Sequence, residues 1–133
     1  MAANPETEKN GASLAWTKLR AVQLRCLALQ RIFDRFCREN GLRSYLTLNI
    51  TLYGEELEEA RRVLDLAKET GVNAVIASDM ACILYARSIG LEVHISTQLS
   101  ISNAEALRFY AQYADVVVLA RELRLDQVKA IHD

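Results

Sequence analysis

The sequence predicts an α/β fold: parallel β/α units making up about half of an eight-stranded β/α barrel, preceded by a long helix. Three observations lead there. Five segments carry apolar residues at helical spacing, and four short ones between them read as strands. The two kinds alternate, with connections too short for a hairpin-only topology. Strand starts near positions 44, 73, 91 and 116 are 29, 18 and 25 residues apart, within reach of barrel spacing, whereas a whole barrel takes about 250 residues.

Residues 1–13 read as a polar N-terminal tail, and residues 14–133 as one partial-barrel domain. Within it, residues 14–40 form a long basic helix, with Leu19, Val22, Cys26, Leu29, Phe33 and Phe36 on one face. Gly41 ends that helix, and residues 44–133 hold four β/α units. Residues 45–50 alternate Tyr45, Thr47 and Asn49 with Leu46, Leu48 and Ile50, which is strand periodicity. The next helix starts at Gly54 with Glu55, Glu56, Glu58 and Glu59 near its positive end, and Gly71 closes it. Residues 73–77 form the second strand, after which Asp79 caps a helix running to Ser88. Residues 91–96 form the third strand. Ser102, with Glu105 three residues later, offers a capping box for a helix through Ala114, and Asn103 reads as a helix-start residue more readily than as a ligand. Residues 116–120 form the fourth strand, which reads as buried and central, and a last helix starts near Arg124. An open four-stranded sheet is the alternative to half a barrel, and it would need protection at both edges.

Composition excludes several classes. A formal net charge of −1 and a pI near 6.1 give no global case for nucleic acid, no apolar run approaches a membrane span, and the first thirteen residues do not resemble a secretory signal. The expected compartment is the cytoplasm. Residues 14–43 nevertheless net +5 and residues 44–133 net −5, so a basic helix able to touch RNA is a secondary reading. Cys26, Cys37 and Cys82 contain no C-x-x-C pair, and each lies in a helical pattern where a buried thiol fits. No metal held by this chain alone is expected.

Polar residues mark the candidate site. The second and fourth strands are continuously apolar, but Tyr45, Thr47 and Asn49 share one face of the first strand, and Glu92, His94 and Ser96 one face of the third. Asn49, Asp79, Ser96, Thr97, Gln98, Arg121 and Glu122 all lie at or just past the C-terminal ends of strands, where β/α barrels carry their chemistry. Arg121 suits an anion or carbonyl anchor, and His94 and Glu122 suit proton transfer. Asn49, Asp79, Ser96, Thr97 and Gln98 suit substrate binding. Asp79 fits a simple N-cap equally well, His94 a structural histidine, and the Arg121 and Glu122 neighbours a solvated pair.

The string His94-Ile95-Ser96-Thr97-Gln98, then Asn103, then Val117-Val118-Leu119-Ala120-Arg121-Glu122-Leu123 resembles the collagenase-like peptidase family, the thirty-second family of peptidases of unknown catalytic type. Thr47-Leu48-Asn49 and Asp79 match it too, over roughly residues 27–133. The resemblance implies strands three to six of a β/α barrel. It also implies that two strands before this region, two after it and a downstream cysteine cluster are missing, so the sequence resembles a central fragment inactive by itself. Some relatives are linked to oxygen-independent hydroxylation of RNA bases or a quinone ring, with an iron–sulfur cluster on those absent cysteines. Implied partners are the remaining half of the barrel, a second copy at open sheet edges, and a peptide or RNA substrate. A non-catalytic interaction module is the further alternative. No serine or cysteine nucleophile with histidine and carboxylate partners is visible, and no H-E-x-x-H motif.

Overall fold

Hydrogen bonding along the chain gives a four-stranded, all-parallel sheet in the order β1-β2-β3-β4. The computed structural model describes residues 31–132. The N-terminal tail and residues 14–30 of the long helix, including Cys26, lie outside the described residues. Residues 31–39 are helical (α1), followed by β1 (Tyr45–Leu48), α2 (Leu57–Thr70), β2 (Ala74–Ala77), α3 (Met80–Ser88), β3 (Glu92–Ile95), α4 (Ala104–Tyr110), β4 (Val116–Val117) and α5 (Leu125–His132). This is the α/β alternation expected from the sequence.

Each of the first three helices stops in the same way. The amides of Leu42, Val72 and Leu91 return to the carbonyls of Cys37, Ala67 and Ala86, a closure that needs a left-handed residue just before them. Gly41, Gly71 and Gly90 fill those positions. At Gly71 a Cβ would also sit 3.2 Å from Arg38 Nη1.

Register is fixed at the strand entrances by two side chains. Asn73 Oδ1 accepts from the Ser44 amide at 2.8 Å while the Asn73 amide donates to the Ser44 carbonyl. Asp115 repeats the device on β3, accepting from the Val93 amide at 2.8 Å and donating its own amide to the Val93 carbonyl. Each clamp bonds backbone groups beyond the ladder and so opposes a slip in pairing.

Val75, Ala77, Val93 and Ile95 point to one face of the sheet and meet Leu64, Ala67, Ile83 and Ala86 from α2 and α3 in a single core. The opposite face carries Tyr45, Thr47, Ile76, Glu92, His94 and Val116, and no described helix covers it.

Four expectations need correction. β1 ends at Leu48, and Ile50 is exposed. α4 is capped by Asn103, whose Oδ1 accepts from the Ala106 amide at 2.9 Å, while Ser102 is exposed and Glu105 pairs with Arg108. α4 also stops at Tyr110, short of Ala114, and turns before β4. β4 is neither central nor buried: it is the edge beside β3, with Val116 and Val118 40% and 38% exposed, because among the described residues no strand pairs on its other side.

α1 departs from the apolar stripe as well. It buries Cys37 and Asp34, the latter only 2% exposed and accepting from Thr70 Oγ1 at 3.0 Å. Phe33 and Phe36, the last two members of that stripe, are exposed. A buried carboxylate here is sustained by hydrogen bonding, which a hydrophobic pattern does not register.

Candidate functional site

The carboxyl ends of β1, β2 and β3 open onto a groove of about 490 Å³ lined by Asn49, Ile50, Thr51, Ser78, Asp79, Gln98 and Leu99. Parallel pairing makes this convergence unavoidable. Leu48, Ala77 and Ile95 are aligned across the three strands, so the residues that follow them leave the sheet side by side.

Asp79 has two jobs built into one carboxylate. Its Oδ1 accepts from the amides of Ala81 at 2.8 Å and Cys82 at 3.4 Å, capping α3. Its Oδ2 has no hydrogen-bond partner among the described residues and remains an acceptor in the groove wall. Cys82 lies in the core, and burial, and secondly the Asp79 charge, push its thiol up to about 11.

Ser96 is buried at the start of the short 3-10 turn Thr97–Leu99. Its Oγ accepts long hydrogen bonds from Asn49 Nδ2 and the Gln98 amide, both at 3.4 Å. Ser96 thus ties two groove walls together from beneath, while Asn49 and Gln98 line the groove itself. Thr97 is half-buried beside them.

The remaining candidates sit elsewhere. His94 lies on the open sheet face, one pair below the strand ends, where it is aligned with Ile76 and Val116. Its Nε2 is 2.8 Å from Glu92 Oε1, and its ring centroid is 5.3 Å from that of Tyr45. Its carboxylate neighbour is Glu92, the residue two before it on the same face of the strand. Arg121 and Glu122 occupy an exposed turn after β4, outside the groove lining, and their side chains make no hydrogen bond or ion pair with another described residue.

A cluster at the other end of the open face was only half visible in the sequence. Arg43 donates to Glu92 Oε2 at 2.8 Å and its guanidinium carbon lies 5.4 Å from the Tyr45 ring centroid. The hydrogen bond from His94, with help from Arg43, holds the Glu92 carboxyl below its ordinary value of 4.5. The period-two pattern put Glu92 beside His94. Arg43 precedes the strand, and only the register of β1 on β3 through β2 shows that it reaches Glu92.

Among the described residues, no three His, Cys, Asp or Glu side chains gather as a metal site, and no helix is long and apolar enough to cross a membrane. Cys37 and Cys82 are free, buried and on different helices.

A parallel α/β sheet whose strand ends converge on a polar groove is the frame of β/α-type enzymes. Residues 12–133 match peptidase family U32, and the chain belongs to that family. It is 58% identical over 97 residues to a protein named collagenase from Porphyromonas gingivalis (strain ATCC BAA-308 / W83), covering 73% of this chain and 23% of the relative. It is 41% identical over 98 residues to the 23S rRNA 5-hydroxycytidine C2501 synthase of Escherichia coli (strain K12), covering 73% of this chain and 15% of that one. The solved structure of the U32 peptidase Mk0906 shares the fold, with a TM-score of 0.63 at 21% identity over 77% of this chain and 46% of that one. The chain spans a quarter or less of the length of these curated relatives.

Proposed function

We propose that this chain forms the substrate-binding part of a collagenase-like U32 enzyme, a hydrolase of peptides built on a complete β/α barrel in the cytoplasm, and that the described half-sheet binds without turning substrate over. One observation supports the peptide reading above others. The groove mixes the amides of Asn49 and Gln98 with the Asp79 carboxylate between the apolar walls Ile50 and Leu99, and Asp79 is the sole charge in its lining. Extended peptide backbone offers N–H and C=O groups that such a surface can satisfy, whereas a phosphate would meet an uncompensated negative charge.

Asn49, Ser96, Thr97, Gln98 and Asp79 serve binding in this reading. Arg121 and Glu122 act from the turn after β4, and His94 from the sheet face. The open edges, β1 and β4, are where further β/α units or a second copy would pair. An iron–sulfur cluster does not fit the described residues, whose two thiols are buried apart, so such a cluster would be held by other cysteines.

The rival reading, RNA as substrate, draws on the relative named as an rRNA hydroxycytidine synthase. Anisotropy titration of the purified chain with a labelled gelatin-type peptide and an RNA oligonucleotide of similar length separates the two. Saturable peptide binding, weakened by Asn49→Ala and Gln98→Ala with no hydrolysis by the chain alone, is expected. RNA binding that falls steeply with salt, in the absence of peptide binding, would replace the peptide reading.

A further inference from the structure

The open face of the sheet carries one histidine whose surroundings define its tautomer. His94 is 14% exposed in its side chain, with Tyr45 beside the ring and Ile76 and Val116 at the flanking strand positions. Its Nε2 contacts Glu92 Oε1 at 2.8 Å, and its Nδ1 has no hydrogen-bond partner among the described residues.

Chemistry then assigns the proton. A carboxylate is an acceptor only, and the other oxygen of Glu92 already accepts from Arg43 at 2.8 Å. The nitrogen facing Glu92 must accordingly be the donor, so in the neutral ring the proton resides on Nε2 and the lone pair on Nδ1. Both Glu92 oxygens are engaged, one by each partner, so the carboxylate cannot rotate without breaking a charge-assisted bond.

We propose that Glu92, anchored by Arg43, is a positioning residue for His94, and that the imidazole it fixes presents Nδ1 as the hydrogen-bond acceptor and base of this sheet face, for a ligand carrying a hydroxyl or N–H donor. The catalytic use of that nitrogen rests on the proposed function; the tautomer and its cause do not. Arg43, Glu92 and Tyr45 are the titratable and charged groups around the ring, from the segment before β1, from β3 and from β1.

Long-range 15N–1H correlation spectra of the 133-residue chain over a pH series, with the tautomer taken from the alkaline end where the ring is neutral, give the tautomer without substrate or turnover. Wild type should show Nε2 protonated and Nδ1 unprotonated. Its ring N–H should exchange with water at least about tenfold more slowly than in Glu92→Met, which removes the acceptor of a charge-assisted bond. Arg43→Met should give an intermediate loss of protection. Backbone amide spectra confirm that each variant stays folded, and the wild-type tautomer stands as a test even where a variant does not. A neutral wild-type ring protonated on Nδ1 would overturn the assignment. Unchanged N–H protection in a folded Glu92→Met would overturn the role of Glu92. Either result leaves peptide binding by the groove untouched, so the two proposals fail separately.

Discussion

Asp79 allows the structural and binding roles of one carboxylate to be pulled apart. Its Oδ1 makes one short cap bond, 2.8 Å to the Ala81 amide, and one marginal bond, 3.4 Å to the Cys82 amide, and no other acid stands in the first turn of α3. Asp79→Ala removes both the cap and the charge and is expected to destabilise the chain by about 1–2 kcal/mol. Asp79→Asn keeps an Oδ1 acceptor for both amides and forfeits only the charge at the helix start, a loss of about 0.3–1 kcal/mol. In the groove the difference between the two variants disappears. The free acceptor Oδ2 becomes an NH₂ donor in the asparagine, so Asp79→Asn should bind the gelatin-type peptide as poorly as Asp79→Ala despite its better stability. Urea unfolding followed by circular dichroism gives the stability order, and peptide anisotropy gives the binding order. Equal destabilisation by the two variants would refute the cap reasoning, and wild-type peptide affinity in Asp79→Asn would refute the role of Oδ2.

Other outcomes follow from the same geometry. Asn103→Ala should lower stability by about 1 kcal/mol in urea unfolding, whereas Ser102→Ala should lie within about 0.5 kcal/mol of wild type, because Asn103 holds the Ala106 amide. Leu64→Ala, at a fully buried site between α2 and the sheet, should cost about 2–5 kcal/mol by the same measurement. Glu92 is held below 4.5 by His94 and Arg43 in the folded chain. A carboxylate with a depressed folded value stabilises the fold above its unfolded value and loses that contribution as pH falls through the folded one. The urea midpoint of wild type relative to Glu92→Gln should therefore hold steady above pH 4.5 and shrink below it; a difference that grew with acid would contradict the Glu92 environment.

The elements were legible in the sequence because their signals are local. Glycines mark three helix ends, and period-two alternation marks the mixed faces of β1 and β3. The misreadings arose where a local pattern depends on distant partners. Residues 116–120 look like a central strand, but position within a sheet is set by pairing, and among the described residues β4 pairs with β3 alone. Ser102 and Asn103 both carry capping side chains, and one residue of phase in the backbone gives the cap to Asn103. In the site, Asn49, Asp79 and Gln98 were found because strand ends are recognisable. The Glu92 neighbour of His94 follows from the i, i+2 spacing that puts two side chains on one face, whereas the Arg43 that joins them comes from another strand's entrance and carries no local signal.

Strand β3 places its packing side chains and its polar ones on opposite faces of the sheet. Val93 and Ile95 are fully buried against the helices, while Glu92, His94 and Ser96 alternate with them toward the open side. Neighbouring positions on one strand therefore answer to different forces: the first pair to apolar packing, the second set to hydrogen bonding and charge. Turning the strand over by one residue would expose Val93 and Ile95 and force Glu92 and His94 into the core, which the Asp115 clamp on the Val93 backbone opposes. The side chain that secures the register thus also keeps His94 and Glu92 off the helix-packed face, on the side of Tyr45.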